Sequence, residues 1–441
     1  MPPPSRLAVS IAVGLAATVL AFAAWAAVRA PFDAGIDLPI YEEDTTILLG
    51  GKMPYRDFAI EYPPGALPMF VLPAVMFGDA RDAHWSPPND HGYRYQRAFN
   101  SLVVALTATM VILTALSLDA LRRTTTVRLF AIAVVASSPL LIGHVFVQRY
   151  DVWPAALTAA ALAAALHGRF RLGAAALGLG VAAKVYPLLL LPVLLIVAAR
   201  QRGVREAITA AASAVAAAAL VFAPFAIASW NGTWQMLRNQ LSGGLQVETV
   251  TSSLLVITRH LSDWVGLHTS ELTVRPEQHG LNRAILAGTG TEATKTALNL
   301  LLVLALCVIW GALARSRNDP LEDLVRYSAL TVAVALVLGT VLSAQYITWL
   351  VPLVPLVAGR RGAVATSAFV VAAALTHVWF PSAFYGSYLG HFDLGATSLL
   401  LARNLALVAT ALALALPGPG ALRRLLVPEA RSTSAGAFGP T

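Results

Sequence analysis

The chain contains little charge and hardly any cysteine. Asp, Glu, Lys and Arg make up 12% of its 441 residues, its only cysteine is Cys307, and its only lysines are Lys52, Lys184 and Lys295. A single cysteine excludes an intramolecular disulfide. The apolar run around Cys307 predicts a thiol packed in the core.

Common metal and nucleotide motifs are also missing. The histidines form neither a His-x-x-x-His nor a His-Glu-x-x-His pair, which argues against a zinc site. The chain has no Gly-x-x-x-x-Gly-Lys-Ser/Thr loop and no dinucleotide fingerprint after a strand, which argues against a nucleotide-driven reaction within it. If the protein is an enzyme, we expect a substrate that is already activated on a lipid.

Long apolar runs dominate what is present. Hydrophobic residues make up 57% of the chain and the mean hydropathy is +0.68, which indicates an all-α, polytopic integral membrane protein. Residues 6–30 have no convincing cleavage site and are predicted to be a retained helix rather than a removed signal peptide. Several runs are short, which favours helices broken around a cavity. About twelve spans are predicted, at 6–29, 95–117, 127–147, 152–167, 170–184, 186–199, 207–229, 295–314, 323–343, 346–358, 362–380 and 397–416.

The arginines predict how these spans are oriented. The formal net charge of +8 comes from short basic clusters between apolar runs, a pattern typical of cytoplasmic loops rather than of nucleic-acid binding. If residues 65–78, which contain two prolines, form an interfacial helix rather than a span, the clusters all fall on one side of the membrane. They are Arg6, Arg122-Arg123-Arg128, Arg169-Arg171, Arg200-Arg202-Arg205, Arg315-Arg317, Arg360-Arg361 and Arg423-Arg424.

This topology predicts one transmembrane domain, residues 1–425, with a disordered cytoplasmic tail at 426–441. It places the domain in the cell membrane as a multi-pass protein with both ends cytoplasmic. Two large segments, 30–94 and 230–294, then face outward, together with short junctions at 148–151, Val185, 344–345 and 381–396.

Acidic residues concentrate just after the first span. Seven carboxylates lie between Asp33 and Glu61 in a chain that is otherwise poor in charge. Carboxylates at a membrane surface act as bases, bind metal ions or belong to solvated loops, and the Tyr62-Pro63-Pro64-Gly65 pattern is also typical of an ordinary turn.

Other ionisable residues occur at the outer junctions, where an ionisable group at membrane depth is a candidate for function. Arg149-Tyr150-Asp151 ends the third span, and Lys184 is either a snorkelling lysine or part of an anion site. The junction at 343–349 is either an aromatic interface belt or a sugar platform. The Arg403-Asn404 pair serves helix-to-helix hydrogen bonding or function.

Several of these motifs, in this order along the chain, resemble polytopic actinobacterial membrane glycosyltransferases of the GT-C class. The group that they resemble most is glycosyltransferase family 87, the polyprenyl-phosphate-mannose-dependent alpha-mannosyltransferases, and the resemblance covers about residues 30–360. The motifs are Asp37-Leu-Pro-Ile-Tyr41, Leu49-Gly-Gly-Lys-Met-Pro54-Tyr55-Arg-Asp57-Phe58, Glu61-Tyr62-Pro63-Pro64, Arg149-Tyr-Asp151, Lys184-Val-Tyr186-Pro187, Gly243-Gly-Leu-Gln246-Val-Glu248 and Ser343-Ala-Gln345-Tyr346-Ile-Thr-Trp349.

The resemblance implies a GT-C-like bundle of about twelve helices, with interfacial helices in the first outer loop. It implies inverting transfer of a sugar, mannose in that family, from a polyprenyl-phosphate donor to a lipid or glycan acceptor on the extracytoplasmic face. Asp37 best matches the catalytic base, with Asp57 and Glu61 as rivals, because an acceptor hydroxyl must lose a proton as it attacks.

The leaving phosphate needs cationic or hydrogen-bonding neighbours, for which Arg149, Lys184 and Arg403 are candidates. The predicted substrate-binding residues are Tyr41, Tyr55, Tyr62, Arg149, Asp151, Lys184, Tyr186, Gln246, Glu248, Gln345, Trp349 and Arg403.

Two alternatives stay open. No cofactor is predicted, but some members of the wider class hold a divalent metal with an adjacent pair of acidic residues at the start of the loop, which this chain lacks, so metal dependence is undecided. A multi-span transporter or lipid flippase is the alternative function, and it would be expected to have inverted repeats and midplane charges.

Overall fold

The computed structural model describes residues 5–28, 37–77, 90–241, 243–265, 272–276 and 284–416. The predicted tail at 426–441, Asp33 and parts of both large outer segments lie outside the described residues. The helices are α1 (Arg6–Val28), α2 (Leu38–Leu49), α3 (Leu67–Phe77), α4 (Asp90–Ala120), α5 (Thr125–Ala136), α6 (Ser138–Ile142), α7 (His144–Val147), α8 (Val152–Leu166), α9 (Phe170–Ala183), α10 (Leu191–Arg202), α11 (Val204–Ala228), α12 (Trp230–Leu241), α13 (Val250–Trp264), α14 (Thr291–Arg315), α15 (Pro320–Leu338), α16 (Gly359–Val378) and α17 (Leu394–Ala415).

The protein is an all-α, polytopic membrane protein, as the apolar runs predict. Among the described residues, six helices are long and apolar enough to cross a bilayer, so the count of about twelve spans stays a prediction. Side chains of Thr249, Asp319 and Asp393 cap the N-termini of α13, α15 and α17. The six helices are Arg6–Ala27, Arg94–Ala120, Val204–Ala228, Thr291–Arg315, Gly359–Tyr388 and Leu394–Ala415.

Some predicted spans are not continuous α-helices, in agreement with the expectation of broken helices, and that these segments cross the membrane stays a prediction. The segment 127–147 forms most of α5 and then two short helices, separated at Ser137 and at Gly143, whose φ is 74°. The segment 346–358 forms 3-10 turns, Ala344–Leu350 and Val354–Leu356. Proline explains the second case, because Pro352 and Pro355 have no N–H for an α-helical hydrogen bond.

The first outer segment contains two helices, α2 and α3. A 3-10 turn, Pro64–Ala66, precedes α3, whose Leu72, Val75 and Met76 are exposed. That α2 and α3 lie at the membrane interface stays a prediction. The second outer segment contains a short hairpin that the sequence analysis missed, in which β1 (Thr273–Pro276) pairs antiparallel with β2 (Ala284–Ala287), with Thr273 opposite Ala287.

Small residues allow the helices to pack closely. A Cβ atom at Gly178 of α9 would collide with the backbone of Ala214 in α11, and a Cβ atom at Gly65 would collide with the backbone of Ala182 at the end of α9. Small residues at such crossings are typical of membrane helices. The contact between Gly65 and Ala182 places the first outer segment next to Lys184, which follows α9.

Cys307 does not occupy the core. It is exposed on α14, most of whose apolar window is unburied. The prediction of a packed thiol was therefore wrong, because in a membrane helix an apolar run faces lipid as readily as it faces protein.

Ion pairs join helix ends where the arginine clusters lie. Arg123 Nη1 is 2.6 Å from Glu322 Oε1, and Arg200 Nη1 is 2.7 Å from Asp323 Oδ2. Arg123 also donates to the Leu356 carbonyl, and Arg200 to the Asn318 carbonyl. These bonds satisfy backbone groups at element ends that have no partner within their own helix.

Candidate active site

Polar side chains from distant parts of the chain line one cleft, at the end of the bundle away from the arginine clusters. The junctions between helices supply most of them, as the topology predicts. The lining residues are Asp37, Glu61, Tyr62, Arg149, Tyr150, Lys184, Gln240, Gln246, Glu248, Ala284, Ser343, Gln345, Tyr346, Phe380, Phe384 and Tyr385.

Asp37 precedes α2 and is fixed by three neighbours. Arg149 Nη1 lies 2.5 Å from Asp37 Oδ2, and the hydroxyls of Tyr41 and Tyr62 donate to the same oxygen at 3.3 and 3.5 Å. Tyr41 is fully buried and its ring stacks on Phe70, with centroids 4.1 Å apart. The carboxylate therefore has a fixed orientation, and Tyr41, predicted to bind substrate, lies behind Asp37 rather than in the cleft.

The two rival bases differ in position. Glu61 lines the cleft, and the Glu61 carbonyl accepts a hydrogen bond of 2.6 Å from Gln240. Asp57 is exposed in a turn outside the lining, where it accepts hydrogen bonds from Arg56 and from the Met53 N–H. These bonds lower the pKa of Asp57 well below its usual range, and its position outside the cleft separates it from Asp37 and Glu61.

Lys184 follows α9 and is held by a carboxylate and by aromatic rings. Its Nζ atom is 2.7 Å from Asp151 Oδ1 and lies 4.7 Å from the ring centroid of Tyr150 and 4.8 Å from that of Tyr346. Lys184 is buried but lines the cleft. It does not snorkel, since its ammonium stays at the cleft with a buried partner, and cation–π contacts add to this placement.

The aromatic junction at 343–349 belongs to the cleft wall. Trp349 stacks between Tyr186 and Tyr346, with centroids 4.2 and 4.1 Å away, and its indole N–H donates to Asp151 Oδ1 at 2.7 Å. Tyr346 and Gln345 line the cleft, whereas Trp349, Tyr186 and Asp151 support them from behind. The alternative of an exposed interface belt is wrong for this junction, because Trp349 is buried.

Tyr55 also lies outside the lining of the cleft. Its hydroxyl donates to the carbonyl of Tyr62 at 2.6 Å, and its ring packs edge-on against Phe225 of α11. Tyr55 therefore holds the turn that carries Tyr62.

Glu248 lines the cleft and is fixed by side chains from the end of α16 and from α17. Trp379 Nε1 and Arg403 Nη2 both donate to Glu248 Oε2, at 3.2 and 3.3 Å, and Arg403 also donates to the Glu248 carbonyl. Burial raises the pKa of Glu248, while the charge of Arg403 opposes this shift. Arg403, predicted as a phosphate ligand, has no exposed surface and lies behind Glu248.

The acidic stretch has one other perturbed group, Asp44 of α2. Burial raises the pKa of Asp44 to about 7, and the charges of Glu43 and Glu61 add to the shift. Among the described residues, no group of three or more His, Cys, Asp and Glu side chains is arranged to hold a metal ion.

The sequence matches the model of glycosyltransferase family 87 over residues 60–343, well over half of the chain. The chain belongs to glycosyltransferase family 87. No curated protein is significantly similar to it.

Membership in family 87 agrees with the resemblance carried by the sequence motifs. The family match includes Glu61, Arg149, Lys184 and Glu248 but begins after Asp37. Asp37 is tied to the family segment by its contact with Arg149, 112 residues later.

Sequence reasoning missed part of the cleft wall of this family 87 protein. Phe380, Phe384 and Tyr385 come from Trp379–Tyr388, a kinked continuation of α16 that is non-helical at Phe380. The guanidinium carbon of Arg149 lies 5.4 Å from the ring centroid of Phe380. The Trp379-Phe380-Pro381 sequence at the end of an apolar run was the available signal, because proline breaks a helix. The other lining residues that were not predicted are Tyr150, Gln240, Ala284, Ser343 and Tyr346.

Proposed function

We propose that this family 87 glycosyltransferase transfers mannose from a polyprenyl-phosphate donor to a lipid or glycan acceptor, with inversion at the anomeric carbon. The observation that carries the proposal is the cleft in which a fixed carboxylate, Asp37, lies with two cations, Arg149 and Lys184. A single displacement needs both kinds of group within one site.

Asp37 is the base in this reaction. The acceptor hydroxyl oxygen attacks the anomeric carbon, its proton passes to the Asp37 carboxylate, and the bond from that carbon to the phosphate oxygen breaks. The hydrogen bonds from Arg149, Tyr41 and Tyr62 support this role because they fix the carboxylate.

Lys184 and Arg149 receive the departing polyprenyl phosphate. The leaving group carries negative charge, and donors that are charged and already oriented stabilise such charge most strongly. Lys184 has the more suitable position, because Asp151 and three aromatic rings hold its ammonium at the cleft.

The reaction takes place on the extracytoplasmic side of the cell membrane. The arginine clusters at 122–128, 169–171, 200–205 and 315–317 lie at the opposite ends of the helices from the cleft, and such clusters mark the cytoplasmic side. Polyprenyl phosphate is a donor carrier that a membrane enzyme meets within the bilayer.

The test is transfer of labelled mannose from synthetic polyprenyl-phosphate mannose to a membrane lipid extract by the purified protein in detergent. Asp37→Asn is expected to lower the rate about 10²–10⁴-fold, the usual contribution of a general base. Parallel reactions with and without EDTA decide whether a divalent metal takes part.

Asp263→Asn is the matched control. Asp263 lies on α13 outside the cleft, has a side chain 47% exposed, and pairs only loosely with Arg259, so this variant is expected to keep full activity. Wild-type activity in Asp37→Asn would move the base role to Glu61, whose Gln variant is measured next. No transfer from any polyprenyl-phosphate sugar, with movement of the lipid across vesicles instead, would favour a flippase.

A further inference from the structure

Groups of two chemically different kinds line the cleft. Arg149 and Lys184 supply positive charge, whereas Glu248 supplies a carboxylate, and the neutral polar side chains of Ser343 and Gln345 belong to the same lining. A carboxylate repels phosphate and accepts hydrogen bonds from hydroxyls. The carboxylate of Glu248 is therefore suited to a ligand group that is rich in O–H donors and has no negative charge.

Hydrogen bonds hold the carboxylate of Glu248 in one position. Trp379 and Arg403 both donate to one of its oxygens, Oε2. A carboxylate has about four acceptor positions, so these bonds leave room for a ligand donor. Glu248 is only 4% exposed, and what remains accessible faces the cleft that it lines.

The backbone around Glu248 is anchored independently of the carboxylate. Arg403 and Asn404 donate to the Glu248 carbonyl, and Asn404 donates to the Thr249 carbonyl at 3.2 Å. The Gln246 N–H donates to the Thr340 carbonyl, and the Ser252 hydroxyl donates to the Gln246 carbonyl. These bonds tie the loop to the bundle, so that its backbone has anchors besides the carboxylate of Glu248.

We infer that Glu248 binds hydroxyl groups of the donor's sugar ring and thereby orients the donor, with its phosphate at Lys184 and its ring against Glu248. The inference rests on the proposed function and names the side chain that recognises the sugar. Arg149 pairs with the base Asp37 and lies 5.4 Å from the ring centroid of Phe380, whose neighbour Trp379 donates to Glu248. The base and Glu248 therefore belong to adjoining parts of one cleft wall. Arg403 acts through Glu248 as a positioning residue.

The experiment pairs deoxy donors with a Glu248 variant. Transfer is measured from polyprenyl-phosphate mannose and from its 2-, 3-, 4- and 6-deoxy forms, for the wild type and for Glu248→Ala. For at least one deoxy donor the wild type is expected to lose about 10- to 100-fold in kcat/KM, the size expected for a hydrogen bond to a charged group. Glu248→Ala is expected to lose less than about threefold for that same donor.

Two further variants serve as a control and as a replacement. Glu292→Ala, a variant of a glutamate with a 79% exposed side chain on α14, is expected to match the wild type for every donor. If Glu248→Ala does not fold, Glu248→Gln, which keeps the side-chain shape, takes its place and is expected to reduce the same penalty. Equal deoxy penalties in the wild type and in the Glu248 variant would overturn the inference while sugar transfer stands.

A binding measurement separates this result from failure of the proposed function. The wild type is expected to bind polyprenyl-phosphate mannose about tenfold or more tightly than sugar-free polyprenyl phosphate, and the Glu248 variant to bind both alike. If the wild type transfers nothing but shows this preference, the proposed reaction fails and the sugar site stands. Equal binding of both lipids by the wild type would overturn the inference.

Discussion

The two ends of the helix bundle use the same residue types in different ways. At the arginine-cluster end, Arg200 pairs with Asp323 and also donates to backbone carbonyls, so that the pair closes a helix junction. At the cleft end, the Asp37–Arg149 and Lys184–Asp151 pairs border an open site. An enclosed ion pair in this protein therefore fastens helices, whereas an ion pair at the cleft places charged side chains in the cleft lining.

The largest effect on stability is expected at the enclosed end. Arg200→Ala leaves the carboxylate of Asp323, whose side chain is 2% exposed, without its cation. Loss of one partner of a buried pair costs about 3–5 kcal/mol. The free energy of unfolding, measured by denaturant titration in detergent, is expected to fall by this amount, while the transfer rate per folded molecule stays unchanged.

Arg171→Ala is the matched control at the same end. Arg171 pairs with Glu206 at 2.8 Å, but its side chain is 62% exposed. Exposed pairs contribute little to stability because solvent screens them, so this variant is expected to unfold almost as the wild type does. Equal losses in the two variants would show that burial does not distinguish the pairs.

The second prediction concerns the open end. Replacing Lys184 with Gln and Asp151 with Asn together removes both charges, so that neither is left buried without its partner. The folded state is expected to persist. The donor KM is expected to rise about 10- to 100-fold, because one charge-assisted hydrogen bond to phosphate is lost, and the acceptor KM is expected to stay constant. Unchanged donor kinetics would exclude Lys184 as a phosphate ligand.

The third and smallest effect is a pH dependence near the cleft. Asp44 has a pKa of about 7 in the folded protein, well above its ordinary value, through burial and through Glu43 and Glu61. The folded state thus binds a proton that the unfolded state has already lost, so stability falls as pH rises from about 4 to about 7. Asp44→Asn is expected to reduce this fall by more than about 1 kcal/mol.

Melting temperatures at pH 5 and pH 8 check this prediction. The wild type is expected to lose more stability between the two values than Asp44→Asn does. Equal changes in the melting temperatures of both proteins would show that Asp44 has its ordinary pKa, and that burial and the neighbouring carboxylates do not raise it. The transfer assay at both pH values separates this effect on stability from any effect on the base.

The motifs located the site better than they assigned roles to residues. Glu61, Lys184 and Glu248 were predicted, and they line the cleft. Asp57 and Arg403 were predicted on the same chemical grounds, but they lie outside the cleft lining. Asp57 is held in a local turn, and Arg403 lies behind Glu248. A motif shows that an ionisable group lies near a junction, but the side-chain direction at a helix end depends on what packs there.

The sequence by itself determined the class of the protein, its apolar helices and the junctions from which the candidate site is built. These are local properties, since the length and polarity of a run decide whether it can sit in a bilayer. Only the tertiary structure decided which junctions meet. It brought Asp37 to Arg149, Asp151 to Trp349 and Glu248 to Arg403, partners more than a hundred residues apart. Such pairs depend on how whole helices cross, and no pattern within one helix determines those crossings.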